Sequence, residues 1–400
     1  MTAVGAESAA HTRGTERRAM GVAGGAHALH DGYTDLIYVM LPIWQVEFGL
    51  SYAAIGLLRG MFAGTMAGFQ IPAGLLSERL GVPLVLAAGT ALAGLGYCLA
   101  PLVSGYWALV AILLVAGLGA STQHPLASAL VARAFAGSRS MKMLGTYNFA
   151  GDIGKMSVPA VASLMLVLLP WQPVLAIMGL LGLAAAVAIF WLAPRLPAEA
   201  AAEKKATIEA KAVRGSRFGF AVLLSIGMID SATRMGFLIF LPFVLISKGA
   251  SLPTVGLALT LVFAGGAAGK LVCAFVGARI GVIATVCLTE GLTAAGILAL
   301  LPLPLEAALV VLPVIGIMLN GTSSVLYGSV PDLVEPAKRT RMFSIFYTGT
   351  IGSGAAAPAI YGLAGDAFGV PTALIVVAGV CLLTLPLTLV LRPMLPASSR

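Results

Sequence analysis

The chain is short of charge. Asp, Glu, Lys and Arg make up 10% of its 400 residues, where a soluble domain carries about 25%. A deficit of that size excludes an ordinary water-facing surface. Cysteine is scarce as well: Cys98, Cys273, Cys287 and Cys381 each stand alone in an apolar run. With no CxxC pair, neither a disulfide framework nor a thiolate metal centre is expected. No catalytic nucleophile motif and no polar catalytic domain accompany the His and Asp residues, so neither an enzyme nor a cofactor is expected. A cleavable signal is not expected either, because the first apolar segment is too long and many more follow it.

What the chain does have is apolar length, 59% of its residues being hydrophobic. A helix crosses a hydrocarbon core of ~30 Å with ~20 residues. Breaking the chain at Pro, Gly and charge clusters predicts twelve spans, near 21–48, 53–77, 82–102, 106–132, 142–169, 172–193, 217–247, 253–278, 282–303, 305–330, 342–365 and 371–392. The expected class is an all-α integral membrane protein. Its parts are a polar, disordered tail 1–20, a six-helix bundle 21–193, a linker 194–216, a second six-helix bundle 217–393 and a tail 394–400.

The net charge of +8 is not a nucleic-acid patch, because of where it falls. All but five of the 24 Lys and Arg lie before, between or after the spans on one side. Lys248 alone lies on the other, and Arg59, Lys155, Arg234 and Lys270 lie inside spans. Positive residues stay in the cytoplasm. Both termini and the middle linker are therefore expected there, in a multi-pass protein of the cytoplasmic (inner) membrane, as a monomer.

The chain also repeats itself 200 residues on. Leu41-Pro42 answers to Leu241-Pro242, Arg79-Leu-Gly-Val82 to Arg279-Ile-Gly-Val282, Thr122 to Thr322, and Tyr147 to Tyr347. Two six-span halves in parallel orientation predict a secondary transporter with its site near the midplane.

Ionisable groups inside spans are costly and mark pathways or sites. Span 1 contains His27, His30, Asp31 and Asp35. His27 and Asp31 are four residues apart and share a face, while His30 splays away. A His titrates near neutrality, so this stretch is the expected proton-coupling site. His124-Pro125 sits at a kink-prone point of span 4. Asp152 with Lys155, and Asp230 with Arg234, are expected internal pairs at substrate depth. Arg59 is a candidate clamp for an anion. Lys270 is expected to pair with Glu290, or to face substrate. Tyr147, Asn148 and Tyr347 are candidates for the cavity lining. A second possibility is a divalent-metal transporter, with His27, His30, Asp31 and His124 as ligands.

Several motifs resemble a known family. The loop Gly74-Leu-Leu-Ser-Glu78-Arg79-Leu-Gly81 is similar to the Gly-x-Leu-Ala-Asp-Arg-x-Gly loop of the major facilitator superfamily, a fold of twelve helices in two six-helix bundles. The resemblance implies that Gly74, Glu78, Arg79 and Gly81 form a gating motif on the cytoplasmic side. Gly151-x-x-Gly154…Pro159 and Gly349-x-x-Gly352-x-Gly354…Pro358 loosely resemble the superfamily's antiporter motif. Three stretches resemble fosmidomycin-resistance-type exporters: His27-Ala-Leu-His-Asp31, Phe48-Gly-Leu-Ser51, and Gly119-Ala-Ser-Thr-Gln-His-Pro-Leu-Ala-Ser128. In the last of these, Leu126 stands where that family has Glu. The resemblance implies proton-driven export of a small molecule.

Overall fold

A computed structural model describes residues 3–135, 138–196, 216–335 and 339–395. Among these residues the regular structure is helical and no strand occurs. The expected linker, over 197–215, and the expected last tail, over 396–400, lie outside them. In chain order the helices are α1 Ala3–Phe48, α2 Tyr52–Gly68, α3 Gln70–Leu80, α4 Val82–Leu99, α5 Tyr106–Ala120, α6 Gln123–Ala134 and α7 Ser138–Met165. They continue with α8 Trp171–Leu192, α9 Arg217–Ser247, α10 Leu252–Leu300, α11 Leu305–Leu333, α12 Arg339–Phe368, α13 Val370–Leu382 and α14 Thr384–Leu391.

Each of the twelve expected spans falls on helix. Eight segments of the described residues are long and apolar enough to cross a membrane by length and composition. The other four expected spans lie on α1, α2 with α3, α7 and α12. Three of these carry the polar and glycine-rich stretches noted above. The fourth is interrupted at Phe69, into pieces of 17 and 11 residues. Pro72, which has no N–H to give to Gly68, explains the interruption. Pro125 acts in the same way on span 4, which breaks at Ser121-Thr122 between α5 and α6. Residues 3–20, expected as a disordered tail, belong instead to α1. Part of the stretch is rich in alanine, the strongest helix former, and Glu16 accepts from Arg139 at 2.9 Å.

Packing divides the chain into two units, residues 1–36 with 65–207 and residues 37–64 with 208–400. Residues 37–64 group with the second unit because α2 lies hard against α12. A Cβ at Gly56 would come within 2.2 Å of the Pro358 carbonyl, and one at Gly60 within 2.4 Å of that of Ala355. The Asp366 carboxylate accepts from the backbone N–H groups of Tyr52 at 2.6 Å and Ala53 at 3.0 Å, at the start of α2, where such donors lack helical partners.

The two cores repeat the sequence offset. The first contains Val22, Ala26, Leu86, Leu126 and Leu130; the second contains Val222, Ile226, Val286, Leu326 and Val330. Leu126 is thus a core residue. Gly49 and Gly249, and likewise Gly81 and Gly281, all have positive φ, a conformation open to glycine at little cost.

Candidate functional site

Close contact between α1 and α7 builds the site in the first unit. A Cβ at Gly154 would lie 1.8 Å from the Ala28 carbonyl oxygen, and one at Gly32 would lie 2.4 Å from Val158. Only glycines allow backbones this near. The approach carries His27 and Asp31 of α1 against Tyr147, Gly151 and Lys155 of α7.

Asp31 is the hub. Its Oδ2 is 3.3 Å from His27 Nε2 and 3.4 Å from Lys155 Nζ. Its Oδ1 is 3.8 Å from His124 Nε2, on α6. His27 stacks on the Tyr147 ring at 4.1 Å. The His124 ring meets those of His27 and His30 edge-on, at 5.2 and 4.9 Å. His27 and Asp31 are 4% and 6% exposed, so the pair is held away from bulk water. The break before α6 is what brings His124 to the cluster, and His30, although it splays from the Asp31 face, joins through His124.

His27 Nδ1 lies 2.9 Å from the Tyr147 carbonyl oxygen, which only accepts, so a hydrogen on Nδ1 suits this contact. Its Nε2 faces Asp31 Oδ2, the oxygen that Lys155 Nζ also meets at 3.4 Å. The donor atoms of His27, Asp31 and His124 also lie within 4.8 Å of one another, a grouping that could meet one metal ion. The Lys155 ammonium, at 3.4 Å from Asp31, opposes a second cation there.

The other expected site residues are dispersed. Lys155, one turn from Asp152 on α7, also reaches across to Asp31 at 3.4 Å. Asp152 and Asp35 are buried. Asn148 is exposed on α7 and Lys270 on α10. Glu78 and Arg79 are exposed at the end of α3; Glu78 and Gly81 line a cleft of about 390 Å³ with Arg133 and Arg195, and Gly74 lies on the same helix. In the second unit, Arg59 is buried with its guanidinium over the Tyr38 ring at 5.1 Å. Tyr347 is 47% exposed and stacks on Tyr327. Asp230 is buried, with Arg234 one turn further along α9. Glu290, expected opposite Lys270, meets the Cys381 thiol, which donates to its Oε2 at 3.2 Å. Sequence reading placed Gly151 in a small-residue stretch loosely resembling an antiporter motif. In the structure a Cβ there would come within 2.7 Å of both Asp31 Oδ2 and His27 Nε2, so this glycine makes room for the cluster itself. Its place in a small-residue motif on the Lys155 helix was the only signal.

Comparison with known proteins agrees with this architecture. Two curated proteins of Escherichia coli (strain K12) are similar over part of the chain. The fosmidomycin resistance protein is 26% identical over 141 residues, 35% of this chain and 34% of its own. The protein named "Probable L-galactonate transporter" is 25% identical over 146 residues, 36% of this chain and 32% of its own. These matches thus span about a third of each relative. Among solved structures, a bacterial homolog of the human lysosomal transporter Spinster, inward-facing and occupied, superposes with a TM-score of 0.78 at 13% identity, covering 95% of this chain and 97% of that one. A mutant of the nucleoside transporter NupG superposes with 0.77 at 16% identity, covering 95% and 99%. The family model of the Major Facilitator Superfamily matches residues 24–244 and 223–400. Because that family model covers well over half of the chain, the chain belongs to the Major Facilitator Superfamily.

Proposed function

We propose that this transporter is a proton-coupled antiporter, exporting a small anionic organic molecule by alternating access. The observation that carries the reading is the buried Asp31 carboxylate, on which His27, His124 and Lys155 converge. Asp31 then holds either the coupling proton or the Lys155 ammonium. Protonation of Asp31 releases Lys155 to take a substrate anion, and substrate departure returns Lys155 to the carboxylate. His124 and His30 continue the relay from His27, and Asp35 lies one turn further along α1. Arg59 suits an anion as well: among the described residues its buried Nε and Nη1 meet no acceptor, and a guanidinium grips carboxylate or phosphate at two points. Asp152, Asp230, Arg234, Lys270, Tyr147, Asn148 and Tyr347 are proposed to shape the rest of the substrate path, with Gly74, Glu78, Arg79 and Gly81 as a cytoplasmic gate. The relatives' names point to fosmidomycin resistance and to L-galactonate, the latter a carboxylate. The distribution of basic residues supports cytoplasmic termini in the inner membrane, and the protein is read as a monomer.

The test uses protein reconstituted in liposomes with a pH-sensitive dye inside and a panel of carboxylates, phosphonates and neutral sugars. The expected result is proton movement driven by anionic members of the panel. Substrate flux that ignores an imposed pH gradient would refute the coupling.

The grouping of His27, Asp31 and His124 favours one other reading, a divalent-cation transporter. Because Lys155 already neutralises Asp31, purified protein is expected to retain no zinc in equilibrium dialysis. Stoichiometric zinc, lost on His27→Ala with His124→Ala, would replace the proton reading with the cation one.

A further inference from the structure

The first unit carries a cleft to which no residue of the Asp31 cluster contributes. It is the space of about 390 Å³ lined by Glu78, Gly81, Arg133 and Arg195. Gly81 turns the chain from α3 into α4 with a positive φ. Arg133 stands at the end of α6, and Arg195 lies just past the end of α8. Among the described residues neither arginine is in an ion pair, nor is Glu78. Two guanidinium groups against one carboxylate leave the cleft with a single positive charge. The first turn of α4, whose N-cap Gly81 has no side chain to give its N–H groups, opens into the same space and adds to the attraction for an anion.

Leu80 and Leu84 line this cleft and also a neighbouring groove of about 300 Å³. The groove lies against α3, α4 and the break between α5 and α6, with Phe69, Leu76, Ala88 and Leu92 in its walls. Its two hydroxyls are turned onto backbone: Ser121 donates to the Leu118 carbonyl at 2.6 Å and Thr122 to that of Gly119 at 3.0 Å. The remaining surface is apolar, and Phe69, Leu76, Leu80 and Leu84 are exposed. From Leu84 to Leu92, α4 rises about 12 Å at 1.5 Å per residue, close to the ~15 Å of one leaflet in a ~30 Å core.

A charged cleft continued by an apolar groove has the form of an amphiphile, with an anion at the head and hydrocarbon behind it. A free phosphate would fill the cleft and leave the groove bare. A zwitterionic headgroup would leave the cleft's positive charge uncompensated. We infer that the Arg133–Arg195 cleft and the groove joined to it at Leu80 and Leu84 form a binding site for one anionic phospholipid, with its phosphate between the arginines and an acyl chain along α4. The distribution of basic residues places this site in the cytoplasmic leaflet. Glu78 and Gly81 line the cleft, so the lipid touches the proposed gate directly. None of the proton-coupling residues is involved, and the inference stands whether or not transport is proton-coupled.

Native mass spectrometry of the purified full chain tests this without a transport substrate. The probes are dioleoylphosphatidylglycerol, dioleoylphosphatidylcholine and inorganic phosphate. The expected result is one phosphatidylglycerol retained per protein, with phosphatidylcholine of the same chains held more weakly and inorganic phosphate displacing neither. Arg133→Gln with Arg195→Gln should weaken phosphatidylglycerol about 30-fold, the loss expected of two basic side chains beside an anionic headgroup, and should erase the preference between the lipids. Ala88→Phe, at an exposed position of α4, fills the groove and should weaken both lipids. The proposal is overturned if wild type binds the two lipids alike, if the double arginine variant holds phosphatidylglycerol as wild type does, or if Ala88→Phe changes neither affinity. Displacement of the lipid by inorganic phosphate would likewise overturn it, in favour of a site for free anions. Should the double variant fail to fold, the comparison of the two lipids on wild type and on Ala88→Phe decides.

Discussion

Asp31→Asn is expected to abolish proton-driven transport, leaving at most equilibration of substrate across the membrane. Asparagine has nearly the same shape, so the α1–α7 contact through Gly154 should persist. What disappears is the acid itself. His27 Nε2, His124 Nε2 and Lys155 Nζ all converge on the Asp31 carboxylate, and an amide can neither bind the coupling proton nor neutralise Lys155. Removing one member of a buried ion pair commonly costs about 3–5 kcal/mol. Here the cost should be smaller, because the Lys155 side chain is 32% exposed and water can take over its solvation. The variant should therefore fold and bind substrate while failing to concentrate it. Asp31→Glu, which restores an acid on a longer arm, should recover part of the gradient-driven flux. Accumulation by Asp31→Asn equal to that of wild type would remove Asp31 from the coupling mechanism.

The largest structural effect is expected at Gly154. Its virtual Cβ would sit 1.8 Å from a backbone oxygen of α1, and backbone cannot rotate aside as a side chain can. Ordinary overpacking costs about 1–3 kcal/mol. Gly154→Val should exceed that, forcing α1 and α7 apart and separating His27 and Asp31 from Tyr147 and Lys155. Thermal unfolding in detergent, or the yield of folded protein, reads the loss. Gly145→Ala is the matched control on the same helix, since nothing lies within 4 Å of that position, and it should be tolerated. If Gly154→Val unfolds at the same temperature as Gly145→Ala, the α1–α7 approach is not as close as described. In the second unit, Gly354 holds the corresponding place, with Ser231 Oγ 2.6 Å from its virtual Cβ; Ser231 is 200 residues after Asp31.

Much of this was legible in the chain before any coordinates. Apolar length located the helices, and Pro125 marked the kink-prone point of span 4, whereas the break at Phe69 inside span 2 was not foreseen. The 200-residue offset anticipated cores in which Leu126 answers to Leu326. The face shared by His27 and Asp31 followed from helical periodicity. What was not legible was choice among partners. Spacing along one helix suggested Asp152 for Lys155 but gave no sign that the lysine also reaches Asp31, because the depth at which two helices cross is set by glycines whose effect depends on what lies opposite. The same limitation hid Glu290. Periodicity gave it a depth but not a neighbour, and only the packing of α10 and α13 brings it to the Cys381 thiol. The reach of α2 toward α12 was equally hidden, because residues 52–60 and 355–366 are joined by contacts that no local pattern encodes.

Gly281 has a bearing on how the chain enters a membrane. Unbroken, the 49 residues of α10 would make a rod of about 74 Å at 1.5 Å per residue, more than twice a hydrocarbon core of ~30 Å. The single positive φ at Gly281 divides it into two limbs, each apolar enough to cross, with Arg279 held close to the bend. During synthesis the two limbs would enter the bilayer as a helical hairpin, with that arginine at its bend. A side chain that resists the bend would act at biogenesis, before there is any transporter whose activity could be assayed.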